Sequence, residues 1–308
     1  MNEYHLPAMV QETLDGLRLD PDGVYVDATY GGGGHSKAIL QKLSAKGRLI
    51  SFDQDEQAIQ NKANDEIQDG RLMLIHSNFR FIYRYLKYYD IPPVDGLLAD
   101  LGVSSHQLDK PGRGFAFRHK DLNLSLDMRM NQSQERSAAD LINRSNQEEL
   151  EFIFKTFGEI WNAEKLVKAI QDFKKKQPVT TIAQFIQIAE PHAVGLLHQY
   201  LAKAFQGLRI AVNDELGALK QLLEDADLIL KPEGRLVVIS YHSLEDRMVK
   251  HLIQCGNPEG NVRQDIYGNK LKTFEAISKK AISPSEKEIK ENYRVRSARL
   301  RVAEKSAK

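Results

Sequence analysis

The sequence predicts an α/β fold, a doubly wound parallel sheet interrupted by an all-helical insertion. Three observations predict it. The first hundred residues alternate short β-rich runs with helical patterns. The stretch from about Ser137 to Lys203 reads as helix throughout. A β-rich run, Arg235 to Ser240, resumes after it.

The elements follow in order. Val24 to Ala28 is apolar and β-branched and predicts a buried strand; the glycine block Gly31 to Gly34 follows it. Ala38, Ile39 and Leu43 recur at helical spacing and Gly47 stops that helix. Arg48 to Asp53 is a second strand, Asp55 to Ile67 a second helix, and Leu72 to His76 a third strand. An aromatic helix from Phe79 to Tyr89 is broken by Pro92-Pro93, and Val94 to Asp100 is the fourth strand. Strands alternating with helices imply βαβ units, hence parallel pairing with helices on both faces.

Beyond Asp100 the pattern changes. Residues 101–130 are rich in Gly, Ser and Arg without a clear period and read as one long loop, a length that is usually functional. The helical stretch breaks at Gly158, Pro178 and Pro191. An amphipathic helix from Phe205 to Leu230 and a turn at Lys231–Gly234 lead back to the strand Arg235–Ser240. Ser243 and Asp246 fit an S-x-x-D helix start. Arg294 to Val302 alternates Arg with apolar residues and slips phase at Ser297-Ala298, as a bulged strand does. The expected division is a sheet domain of residues 1–130 and 205–308 around a helical domain of residues 131–204.

Composition narrows the function. The chain has 308 residues, 42% hydrophobic and 28% charged, which is enough apolar material for a core. Forty-three Lys and Arg against 42 Asp and Glu leave a net charge of +1, so a grip on nucleic acid must be local. One cysteine, Cys255, excludes an internal disulfide and a cysteine-held zinc. No His, Asp and Glu set has metal-ligand spacing, so no metal is expected. No apolar run reaches the roughly 18 residues of a membrane span, and the first residues lack the pattern of a signal peptide, so a cytoplasmic protein is expected.

The run Asp27-Ala-Thr-Tyr-Gly31-Gly-Gly-Gly34-His35 stands between a strand and a helix. Glycines there let backbone approach a ligand and tolerate positive φ. Asp53 closes the next strand, 22 positions after Gly31, where a doubly wound fold places the acid that accepts from ribose hydroxyls. A dinucleotide fingerprint needs Gly at 36, which is Ser; a P-loop also needs Ser or Thr at 38, which is Ala. A loop flanked by acids and free of basic residues suits a ligand without phosphates. S-adenosylmethionine is such a ligand, with a ribose for Asp53 and a cationic end for carboxylates such as Asp27 or Asp100.

The runs HLPAM, DATYGGGGHS, DLGVSSHQLD, RGFAFR, LDMRM, FQGLRIAVNDEL, GRLVVISYHSLEDR and RVRSARLRVAE resemble the MraW (RsmH) family and span residues 5 to 304 in that family's order. The resemblance implies a class I methyltransferase fold with an inserted helical domain. It implies transfer of a methyl group from S-adenosylmethionine to N4 of a cytidine in 16S ribosomal RNA, free or in the small subunit. Cofactor contacts are implied at Gly33, Gly34, His35, Asp53, Phe79, Asp100 and Gln107. His106, Ser125 and Ile160-Trp161-Asn162 depart from the family's usual residues.

Other residues carry weaker expectations. His35 closes the glycine loop and lines the cofactor without ionising. Gln206, Arg209 and Asn213 share one stripe of a helix, which the resemblance makes a wall of the acceptor site and pattern alone makes a solvated face. Tyr241 and His242 follow a strand and face the cytosine. Residues 272–308 carry eleven Lys or Arg against five Glu, a basic tail that either contacts phosphate or protects an edge strand. Arg113, Arg118, Lys120 and Arg129 are further phosphate candidates. An acceptor on the amine N–H, either Asp100 or the Ser104-Ser105 segment, would concentrate electron density on a weakly nucleophilic nitrogen. Carbon methylation would need a cysteine nucleophile, and Cys255 lies far from the glycine loop in sequence.

Overall fold

The computed structural model describes residues 7–64, 69–117 and 123–307. Its sheet has seven strands: β1 (Val24–Asp27), β2 (Arg48–Asp53), β3 (Leu72–His76), β4 (Val94–Asp100), β5 (Leu230–Ser240), β6 (Phe274–Ala276) and β7 (Arg299–Lys305). Their order is β3-β2-β1-β4-β5-β7-β6. β1 to β5 run parallel, and β7 is antiparallel to both neighbours. The order reverses beside β1, which makes the carboxyl ends of β1 and its neighbours the ligand-binding edge.

Both faces of the sheet are covered, which is why its strands are almost continuously apolar. Val26, Phe52, Leu97, Leu236 and Val238 point into one apolar cluster with the helices Ile82–Tyr88, Glu215–Ile229 and Ser243–Cys255. Tyr25, Leu49, Leu98, Val237 and Ile239, the alternate positions, point into the other with Leu17, Ile39 and Leu40. The period-2 alternation thus sorts apolar residues between two cores rather than between core and water.

Packing divides the chain into Met1–Gly102 with Leu216–Lys308, and Val103–Glu215. The division expected from sequence falls at 130/131 and 204/205. The difference arises in the long loop. Phe115, Leu126, Met128 and Met130 are buried with Phe154, Leu166, Phe185 and Leu208 of the helical unit, and Ser125 forms a bridge with Thr181. The segment lacks periodicity because its residues are fixed one by one by the helices they touch. Arg118 and Lys120 lie outside the described residues.

Four expected elements change, the first being the turn at 231–234, which lies within β5 with Glu233 at φ 62°. The aromatic helix opens as a 3-10 turn, Phe79–Phe81, capped by Asn78 on Arg80 N at 2.9 Å. The helix expected over Phe205–Leu230 is two, Leu197–Asn213 and Glu215–Ile229, parted at Asp214 with φ 47°. The bulged strand expected at 294–302 is a 3-10 turn, Tyr293–Ser297, followed by β7, and the phase slip at Ser297-Ala298 is their junction.

The break at Asp214 follows from what Asn213 does. Its amide donates to the carbonyls of Met128 and Arg209, at 2.8 and 2.9 Å, and its oxygen accepts from Met130 N at 2.7 Å. Arg209 reaches past the break to Glu215 with two hydrogen bonds of 2.8 and 3.0 Å. Gln206 donates to the carbonyl of Phe157 at 2.9 Å. The stripe is therefore framework of the helical unit, not a solvated face. Asn213→Ala strands the buried Met130 N–H and Met128 carbonyl and should cost about 3 kcal/mol, seen as a lower midpoint in denaturant titration.

Two phosphate candidates are also framework. Arg113 is buried and donates to the carbonyls of Arg129 and Met130, both at 3.0 Å. Arg129 is held by Asp127 at 2.9 and 2.8 Å and by the carbonyl of Gln134 at 2.8 Å. Both guanidinium groups are engaged within the helical unit.

Candidate active site at the carboxyl edge of the sheet

The glycine loop leaves β1 as a chain of fixed turns. Tyr30 N donates to Phe52 O at 2.8 Å and Gly33 N to Tyr30 O at 2.7 Å. Gly31 and Gly33 have φ of 53° and 76°. Gly33 is the N-cap of the helix Gly34–Leu40, and a Cβ there would stand 2.7 Å from the Tyr30 hydroxyl oxygen. A Cβ on Gly34 would stand 2.7 Å from Pro7, whereas one on Gly32 meets nothing within 4 Å. Gly33 and Gly34 are thus set by the turn, and Gly32 presents bare backbone to open space.

The acids at the strand ends do different work. Asp27 is fully buried. It accepts from Ser36 Oγ at 2.7 Å and Thr29 N at 3.0 Å, and Ser36 Oγ lies 2.8 Å from Ser51 Oγ. Burial raises its pKa, opposed by the nearby His35 charge and these hydrogen bonds. Asp27 therefore fastens the loop from beneath, with no surface of its own open to a ligand.

Asp53 accepts from Gly31 N at 2.7 Å through Oδ2 and from Asp55 N at 2.8 Å through Oδ1. It keeps part of its surface accessible at the end of β2. Desolvation pushes its carboxyl up to about 6, against the pull of those two N–H groups. Phe79 stands at the end of neighbouring β3, half-buried against the sheet core. The two are tied locally, since Ser77 N donates to Asp53 O at 2.8 Å and Asn78 to the Gln54 side chain at 2.7 Å.

Asp100 closes β4, with 20% of its side chain exposed. Its N–H donates to Thr29 Oγ1 at 2.7 Å, which ties β4 to the end of β1. Its carboxylate accepts from the Tyr241 hydroxyl through Oδ1 at 2.9 Å, and His35 Nε2 lies at ion-pair distance, 3.3 Å, from Oδ2. Burial works against a charged His35, but contact with Asp100 and the charges of Asp100, Asp27 and Glu288 outweigh it and raise its pKa. The direction of that shift runs against the expectation of an un-ionised His35. Burial, then the Asp100 charge, push the Tyr241 phenol far up, so it remains a donor.

Sequence reasoning on its own missed the pairing of Tyr241 with Asp100, 141 positions apart. The available signal was their common placement, each at the carboxyl end of one of two adjacent strands, with Asp100 paired to Ile239. His242, expected to face the base, is the N-cap of Ser243–Cys255, and Glu245 Oε2 accepts from the Tyr241 and His242 N–H groups at 2.8 and 3.3 Å. Asp246 is taken by Arg301, at 2.7 and 2.9 Å. The 13-residue helix carries Cys255 about 20 Å from this edge, too far for a nucleophile here. Gln107 belongs to the helical unit, where it closes a capping box by accepting from Ser104 N at 3.1 Å.

The donor set fits S-adenosylmethionine. Accessible carboxylates close β2 and β4 on either side of β1, bare backbone lies at Gly32, and no Lys or Arg occupies the glycine loop, so the site favours a cation bearing hydroxyls over a phosphate. A parallel sheet of this order, with its one antiparallel strand, glycine loop and paired strand-end acids, defines a class I methyltransferase dependent on S-adenosylmethionine.

The chain belongs to the MraW methylase family, whose model matches residues 2–306. It is 48% identical over 303 residues to the Ribosomal RNA small subunit methyltransferase H of Bacteroides thetaiotaomicron, covering 98% of this chain and 97% of that one. It is equally identical, 48% over 305 residues, to the protein of the same name from Amoebophilus asiaticus, covering 99% and 96%. A solved rRNA methylase from Streptococcus thermophilus superposes with a TM-score of 0.41 at 14% identity, covering 98% and 99%. No helix among the described residues is long and apolar enough to cross a membrane.

Proposed function

We propose that this protein transfers a methyl group from S-adenosylmethionine to the N4 amino group of a cytidine in 16S RNA of the small ribosomal subunit. The observation that carries the reading is the carboxylate of Asp100, part exposed at the ligand edge, hydrogen-bonded by Tyr241 and at ion-pair distance from His35, in a chain whose family model matches residues 2–306. Gly33, Gly34, His35, Asp53, Phe79, Asp100 and Gln107 are the proposed cofactor contacts. Asp53 takes the ribose hydroxyls and Phe79 lies beside the adenine.

Bound S-adenosylmethionine supplies an electrophilic methyl group. The chain's contribution is placement, because an in-line displacement needs its reacting atoms about 3–3.5 Å apart and aligned. Asp100 accepts an N–H of the incoming amine and draws electron density onto its nitrogen. Tyr241 and His35 keep the carboxylate from rotating away. A base reaches such a site only when unstacked, so the cytidine is presented single-stranded or flipped. The helical insertion, residues 131–204 by sequence and 103–215 by packing, is a second RNA-facing domain on this reading.

Two measurements test it. Labelled methyl transfer followed by mass mapping should place one methyl on N4 of one cytidine, and label on carbon 5 or on no RNA overturns the reading. Calorimetry with S-adenosylmethionine should also show affinity falling about ten-fold from pH 7 to pH 5, as Asp53 with its pKa near 6 takes up a proton. The sign is that of a raised acid: the unliganded fold is favoured below pH 4 and loses that contribution as pH rises to 6. An affinity flat across that range removes Asp53 from the ribose contact.

A further inference from the structure

Residues 279–301 carry eight Lys or Arg against three Glu, and they meet the sheet at the edge that holds Asp100. β7 starts at Arg299, opposite Ser240, whose hydroxyl donates to the Arg299 carbonyl at 3.2 Å. Tyr241, the donor to Asp100, is the next residue after Ser240. Glu288, on the short helix Glu286–Glu291, accepts from Met9 N at 2.6 Å, and its charge acts on both His35 and Tyr241. The basic segment therefore borders the candidate site.

The turn Tyr293–Ser297 is fastened down. Val295 and Ala298 are buried in the core of the sheet unit, Val295 N donates to Asn292 O at 3.1 Å, and Ala298 N donates to Val295 O at 2.8 Å. Between these anchors Tyr293 stands 60% exposed. The Arg296 guanidinium covers its ring at 4.2 Å from the centroid. Arg299 is exposed and donates to Ser283 Oγ at 3.1 Å. Among the described residues neither Arg296 nor Arg299 is paired with a carboxylate, in contrast to Arg301 on the same strand, which Asp246 neutralises.

We propose that Tyr293, backed by Arg296, is a stacking platform for an unpaired RNA base flanking the target nucleotide, with Arg299 as a phosphate contact. An aromatic ring held in water by a rigid turn is not core packing, and a guanidinium on one side leaves the other for a second flat partner. Stacking on aromatics accepts any base, and arginine adds cation–π attraction and charge. The local excess of positive charge selects a polyanion, in a chain whose total charge is near zero. An apolar protein partner would ask for a wider unbroken apolar patch than one ring among arginines. The proposal rests on RNA being the substrate, as argued above.

The test uses the full chain and a fluorescent single-stranded oligoribonucleotide spanning the target cytidine. By anisotropy, Tyr293→Ala should weaken RNA binding about ten-fold while Tyr293→Phe retains it. The affinity for S-adenosylmethionine should be unchanged in both. Arg299→Gln should lower the slope of log affinity against log salt by about 0.7, one single-strand phosphate contact. Wild-type RNA affinity in Tyr293→Ala overturns the platform. So does a defect confined to assembled subunits and absent on free RNA, which assigns the ring to a ribosomal protein. A wild-type chain that binds RNA through Tyr293 but transfers no methyl supports the platform and fails the proposed reaction instead.

Discussion

Asp100→Asn should reduce methyl transfer by at least about 10²-fold, with the protein still folded. Asp100 accepts from the Tyr241 hydroxyl at 2.9 Å, and His35 Nε2 lies 3.3 Å from its other oxygen at ion-pair distance. An asparagine keeps an acceptor oxygen for Tyr241 but sets a neutral NH₂ where the charged oxygen faces His35. That removes the negative charge beside His35, the charge proposed above to face the methyl donor and the amine. Loss of a group that acts on the transferring proton or its hydrogen bond typically costs 10²–10⁴ in rate. The measurement is kcat for labelled transfer, with circular dichroism as the folding control. Wild-type kcat in Asp100→Asn would take Asp100 out of the reaction. Tyr241→Phe, which frees one carboxylate oxygen but keeps the charge, should fall between the two.

Gly33→Val should abolish measurable S-adenosylmethionine binding and destabilise the sheet unit by about 3 kcal/mol. Position 33 has φ 76°, which costs an L residue about 1–2 kcal/mol, more when it is β-branched. Its first carbon would also stand 2.7 Å from the Tyr30 hydroxyl oxygen and 2.9 Å from Tyr30 Cζ, on a buried ring. The loop must then move, and Gly31 N, which anchors Asp53 at 2.7 Å, moves with it. Gly32→Ala supplies the internal comparison, since its Cβ has nothing within 4 Å, and it should melt as the wild type does. Equal melting temperatures for all three proteins would show that the loop is not built as argued.

The glycine loop and its acids show how far local sequence reaches. Asp27, Asp53 and Asp100 each end an apolar run and look alike in sequence. The parallel strands, the strand-end placement and the ribose-type spacing of Asp53 after Gly31 all follow from that local pattern. Which acid faces a ligand does not. Asp27 is enclosed and supplied with donors by Ser36 and Thr29, whereas Asp100 stays partly open with Tyr241 as its side-chain donor.

The arginines divide the same way. Arg113, Arg129 and Arg301 are absorbed by carbonyls or acids, and Arg296 and Arg299 are left with charge to spare, although all five sit in similarly basic, apolar-punctuated runs. Asn213 ends a helix that hydrophobic spacing alone would continue, because its side chain satisfies backbone at Met128 and Met130.

By itself the sequence determined the alternating sheet, the helical insertion, the phosphate-free cofactor class and the family, because periodicity, glycine placement and motif order are properties of neighbours along the chain. The tertiary structure alone decided which charges are satisfied and which remain for chemistry. A buried charge takes its partners from wherever the fold brings donors together, and here, as with Asp100 and Tyr241, they lie 141 positions apart in the chain.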